Sequence, residues 1–155
     1  MRYSEIRPDL IVKNLDRLIG DSFDEDDRDS GTSGFCGTFA LILHYVLKRY
    51  GVPSQLVFVC VPPPPNKNTE TYWWRHALVE VDGSYYDVDG KVEPEHVISN
   101  YCWGSINCEG FLKPVSENEF IKEIRSVKSA CSLTQLMAWK QKLEAGITSL
   151  SQANF

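Results

Sequence analysis

What this chain lacks narrows its class first. It has no run of 18 or more apolar residues, and no basic segment followed by an apolar one near its N-terminus. Neither a membrane span nor a secretory signal is expected, and a cytoplasmic location is. No CxxC pair occurs among the five cysteines, Cys36, Cys60, Cys102, Cys108 and Cys131. An odd set without paired spacing fits reduced thiols better than a disulfide framework or a zinc site, although Cys102 and Cys108 can pair in an oxidising setting. A basic stripe is also missing and the formal net charge is -5, which argues against a nucleic-acid partner. No internal repeat appears. The acidic stretch DSFDEDDRD, residues 21–29, lacks the glycine and closing glutamate of an EF-hand, so a solvated, mobile loop is expected there rather than a calcium loop. Selection of a basic substrate is another use it can serve. No metal or other cofactor is implied.

What remains is an ordinary globular composition, 43% hydrophobic and 24% charged over 155 residues, enough to bury one core without a stapling metal or disulfide. Residues 1–155 are read as a single domain. RPDLIVKNLDRLIG sets Leu10, Ile11, Leu15, Leu18 and Ile19 on one helical face, with Gly20 as its stop. SGTSGFCG, residues 30–37, reads as a glycine-rich loop leading into a second helix over residues 36–50, ended by Gly51 and Pro53. On that helix Phe39, Leu43, Val46, Leu47 and Tyr50 mark the core side, and Cys36 shares a stripe with Ala40, Leu43 and Leu47.

SQLVFVCV, residues 54–61, is a strand by its Val and Phe content, stopped by four prolines. RHALVEVDGSYYDVDG, residues 75–90, reads as two antiparallel strands joined at Asp82-Gly83. Trp73 and Trp74 belong either to a surface binding loop or to the start of the next strand. SENEF offers a capping box through Ser116 and Glu119, and a last helix is expected between Ser132 and Gly146. The segment YCWGSINCEGF, residues 101–111, has no evident assignment.

Chemistry enters at Cys36. The first turn of a helix favours a thiolate, because unpaired N–H groups and the positive dipole end stabilise an anion. The N–H of Cys36 can also bind an oxyanion, and Gly37 lets a substrate approach the backbone. A thiol nucleophile needs a base, and the base needs an orienting partner. Of the three histidines, His44 is read as a packing or surface residue, and His96 lies in a polar stretch with no carboxylate set opposite it. His76 starts a strand whose alternation puts it on one face with Leu78 and Glu80. If Asp82-Gly83 is a two-residue turn, Leu78 faces Asp87 and His76 faces Asp89. A four-residue loop keeps both aspartates on that face, and a three-residue loop turns both away.

GFCGTFALILHYVLKRYGVPSQLVFV followed by RHALVEVDGSYYDVDG resembles the transglutaminase-like branch of papain-like cysteine enzymes over roughly residues 31–90. The resemblance implies an α+β fold in which a nucleophile helix packs on an antiparallel sheet, with flanking N- and C-terminal helices. It implies Cys36 as nucleophile, His76 as general base and acid, and Asp87 as the orienting carboxylate, placed directly after an aromatic pair as in YYD. The implied activity is that of a thiol-dependent hydrolase or acyltransferase on an amide: peptidase, deamidase or transglutaminase-type. The expected partner is a protein, a peptide or a small amide, with no nucleic acid and no membrane. A second oxyanion donor has no candidate among residues 1–32. The competing expectation is an inactive peptide-binding module on the same scaffold.

Overall fold

The computed structural model describes residues 6–62, 73–102, 109–126 and 133–153. Two short helices, α1 (Pro8–Lys13) and α2 (Leu15–Ser22), replace the single expected one, with Asn14 breaking the run as the C-cap of the first and N-cap of the second. Of the expected inward residues, Ile11, Leu15, Leu18 and Ile19 are buried and Leu10 is partly buried, and α2 runs through Gly20 to Ser22 instead of stopping there. The acidic stretch is not a loop. Asp24 accepts from the Asp27 N–H while the Asp27 carboxylate accepts from the Asp24 N–H, and this reciprocal cap starts α3 (Glu25–Ser33). Asp27 itself is buried and accepts from Trp139 Nε1 and Lys142 Nζ, which is why so acidic a segment is ordered.

Only Gly34 and Phe35 separate α3 from α4 (Cys36–Arg49), so the expected glycine loop shrinks to a corner. Every residue of α4 from Cys36 to His44 is buried, as a helix must be when it is covered on both sides. One side meets the sheet and the other meets α7 (Leu133–Ala153). Phe23, Phe39 and Trp139 interlock edge to face across this helical layer. Helix α7 runs through Gly146 rather than stopping there. A Cβ at Gly146 would lie 2.5 Å from Ser22 Oγ, so the glycine lets α2 and α7 approach closely. The expected cap at Ser132 lies outside the described residues.

The strands are β1 (Gln55–Val61), β2 (Trp73–Val81), β3 (Ser84–Asp87), β4 (Gly90–Val92) and β5 (Phe111–Val115). They form one antiparallel sheet in the order β4-β3-β2-β1-β5, which makes the described fold α+β. Leu56, Phe58, Ala77, Val79 and Tyr86 face the α4 side. Val57, Val59 and Leu78 face the other side, where α5 (Pro94–Asn100) lays Val97 against them. Trp74 is partly buried and stacks on Phe58 at 4.7 Å, the strand-start alternative for the tryptophan pair. Helix α6 (Glu117–Arg125) begins at Ser116, whose side chain accepts from the Glu119 N–H. Among the described residues no helix is long and apolar enough to cross a membrane.

Candidate active site

Two irregularities in the sheet place His76. Val59 pairs with His76 but Cys60 pairs with Trp74, so β2 carries Arg75 as the extra residue of a bulge. The bulge inverts the alternation, sending Trp74 to the α4 side and leaving His76 with Leu78 on the other. The second irregularity is the shortness of β3, which pairs with β2 only from Val79 to Val81. At His76 β2 has no β3 partner, and Cys36 of α4 and Tyr101, just after α5, act on the ring instead.

The hairpin at Asp82-Gly83 is the two-residue turn, with φ of 50° and 81° and Val81 opposite Ser84. Simple extension of that register would put Asp89 across from His76. A second tight turn intervenes, pairing Asp87 with Gly90 and lifting Asp89 out of the ladder. Asp87, diagonal to His76, makes the contact: His76 Nε2 donates to Asp87 Oδ2 at 2.8 Å. The other oxygen, Oδ1, accepts from the Asp89 N–H at 2.8 Å. Asp89 is therefore a buttress and not the partner of the ring. Its own carboxyl is raised by desolvation and by the charge of Asp87, against Arg28 and His76.

Cys36 is the first residue of α4 and is 7% exposed. As a first-turn residue, it carries an N–H with no acceptor inside the helix. The corner before it is held by the Phe35 N–H donating to the Ser30 carbonyl, and Gly31 sits so close to Val88 that a Cβ would meet it at 2.7 Å. These contacts draw the α3–α4 corner onto the β3–β4 turn, and Cys36 comes into hydrogen-bonding contact with His76. His76 is 1% exposed. Burial opposes its charging, yet the hydrogen bonds and charges of Asp87 and Cys36 raise its pKa to about 9.

Two neighbours escape the sequence reading. Tyr101, the C-cap of α5, stacks on the imidazole with ring centroids 5.0 Å apart, and its hydroxyl lies 3.2 Å from Nδ1. That hydroxyl donates to the Thr32 carbonyl. The usable signal was Pro94 as a helix opener with Val97 and Tyr101 four residues apart on one face. Thr32, His76, Asp87, Asp89, His96 and Tyr101 help line a cavity of about 430 Å³. A Cβ on Gly37 would lie 2.6 Å from Ile124 Cγ2, so its smallness admits α6 at the first turn of α4.

His44 forms a separate polar clamp, bonding Ser54 Oγ at 2.6 Å through Nδ1 and Glu117 Oε1 at 2.7 Å through Nε2. Hydrogen bonds from His44 and Lys48 hold the Glu117 carboxyl below its ordinary pKa. Cys36 and Cys60 are free thiols, whereas Cys102 is disulfide-bonded, contrary to the expectation that the cysteines stay reduced. Cys108 and Cys131 lie outside the described residues. Among the described residues no group of three or more His, Cys, Asp or Glu is placed to hold a metal. The chain matches no family model, no curated protein and no solved structure.

Proposed function

We propose that the protein is a thiol-dependent hydrolase or acyltransferase acting on an amide through Cys36, His76 and Asp87, on a transglutaminase-like, papain-like scaffold. The observation that carries this reading is a buried imidazole with a carboxylate on Nε2 and a helix-start thiol whose hydrogen bond and charge act on the same ring. In the proposed cycle the Cys36 sulfur attacks the acyl carbon and its proton resides on His76. The tetrahedral oxyanion takes the Cys36 N–H, the carbon–nitrogen bond breaks, and His76 passes its proton to the departing amine. Water or a second amine then gives a proton back to His76, attacks the thioester and releases the sulfur. Asp87 holds the ring with Nε2–H and offsets its positive charge throughout.

An activated ester tests this. Incubation with p-nitrophenyl acetate should leave an acetyl mass on the Cys36 peptide that hydroxylamine removes. Cys36→Ser should abolish the adduct, and His76→Ala should slow its formation by about 10²–10⁴-fold. Added primary amine that captures the acyl group identifies transfer, and indifference to it identifies hydrolysis. Absence of any Cys36 adduct in the unaltered chain would favour the peptide-binding module. Disulfides are typical of oxidising compartments, so the bond at Cys102 weighs against the expected cytoplasmic location.

A further inference from the structure

The single hydroxyl proton of Tyr101 constrains how the ring beside it is charged. Tyr101 Oη donates to the Thr32 carbonyl at 3.2 Å and lies 3.2 Å from His76 Nδ1. While its proton is on the Thr32 side, the oxygen presents only lone pairs to Nδ1, and lone pairs there favour Nδ1–H. Nε2 is already a donor to Asp87. Both ring nitrogens thus face acceptors, the arrangement a buried imidazolium needs.

We propose that Tyr101 is a positioning residue: held as a donor by the Thr32 carbonyl, it accepts a hydrogen bond from the protonated His76 ring and fixes Nδ1–H where Cys36 yields and regains its proton. The proposal rests on the reading of Cys36, His76 and Asp87 as a reacting triad. In the step concerned the S–H bond of Cys36 breaks and an N–H bond forms at Nδ1, while Tyr101 keeps its own proton. When the ring later gives that proton to the leaving amine, the Tyr101 hydroxyl turns from Thr32 to the bare Nδ1. The phenol stays protonated throughout, since burial and then the charges of Cys36, Asp87 and Asp89 push it to about 12. The Tyr101 ring lies 18° from the imidazole plane with centroids 5.0 Å apart. The charged and titratable groups around the pair are Cys36 from α4, Asp87 from β3, Asp89 from the turn after it and Arg75 from β2, with Arg28 and Asp29 of α3 acting on Asp89, and Lys91 of β4, Glu93 just before α5 and His96 of α5 line the same cavity.

The test is an imidazole ¹⁵N titration of His76 in the unaltered chain and in Tyr101→Phe, which keeps the stacked ring and removes only the oxygen. The expected result is a His76 midpoint lowered by about one pH unit, the size of one hydrogen bond to a charged group, with the alkaline fall-off of Cys36 alkylation moving the same way. An unchanged midpoint overturns the proposal, and so does a raised one, because a tyrosine that donates to neutral Nδ1 would shift it upward on removal. Should Tyr101→Phe not fold, the unaltered chain decides. Below its midpoint a solvent-protected Nδ1–H resonance supports the assignment, and its absence contradicts it. The titration does not require Cys36 to react. A reactive Cys36 with an unmoved midpoint therefore sinks the role of Tyr101 alone, and an inert Cys36 with a lowered midpoint sinks the catalytic reading alone.

Discussion

At the scale of single residues, Asp87 and Asp89 lie two positions apart, and Asp87 is the one bonded to the His76 ring. Both are aspartates after an aromatic pair, and the turn register alone favoured Asp89. The contact goes to Asp87 because the tight turn at Val88 and Asp89 ends the strand. Asp87→Asn should therefore cut Cys36-dependent acyl transfer by about 10²–10⁴-fold, the usual share of a positioned acid–base pair. Asp89→Asn, at an exposed position, should leave the rate within about threefold and stability within about 0.5 kcal/mol. Rates of p-nitrophenyl ester turnover for the two variants check this, and equal losses would assign the wrong carboxylate. His76 and Cys36 were legible because strand alternation and a glycine-flanked helix start are local patterns. Tyr101 was not, since its role arises from a helix end folding back over a strand 25 positions earlier.

At the scale of elements, the contact between α4 and α6 backs the first turn of α4, which carries Cys36. Ile124 is buried and its Cγ2 occupies the space a Cβ on Gly37 would need, 2.6 Å away. Alanine is the better helix former by up to about 1 kcal/mol, but a β-branched methyl in a packed interior gives way poorly. Gly37→Ala should destabilise the protein by about 1–3 kcal/mol. Ile124→Ala in the same chain should recover part of that loss, a non-additivity that urea titration of the two single variants and the double variant measures. Strict additivity would mean the two residues do not meet. The sequence allowed Gly37 a different reason, substrate access, because a glycine requirement names closeness without naming the neighbour. Gly146 makes the same point, since only the crossing of α2 shows why the long helix continues through it. The acidic segment shows the opposite case: its charge suggests a solvated loop, while the spacing of Asp24 and Asp27 makes a helix-starting cap.

At the scale of the molecule, two buried ionisable groups make stability depend on pH in opposite directions. Asp27 is opposed by desolvation, but its bonds to Lys142, Trp139 and the Asp24 backbone hold the carboxyl below its ordinary value. A lowered folded-state pKa stabilises above the unfolded carboxylate value of about 3.9, and this stabilisation is lost as pH falls through the folded value. Asp27→Asn should cost about 1–3 kcal/mol near neutrality and much less in acid, which thermal melts across pH will show. A constant difference would contradict it. For His76 the sign is reversed. Its raised pKa contributes stability in full below about pH 6.5, and that contribution disappears as pH rises through about 9. The α+β layering was legible from periodicity, but the way α3, α4 and α5 converge beside one short strand depends on packing that no local pattern encodes.

The central claim is that His76 activates the sulfur of Cys36, and site-resolved alkylation measures it directly. Cys60 supplies the internal reference, a free thiol whose pKa burial pushes up. Iodoacetamide near neutral pH, followed by peptide mass spectrometry, should modify Cys36 at least about tenfold faster than Cys60, and His76→Ala should erase most of that ratio. Equal rates at the two cysteines, or a ratio untouched by the loss of His76, would contradict the account.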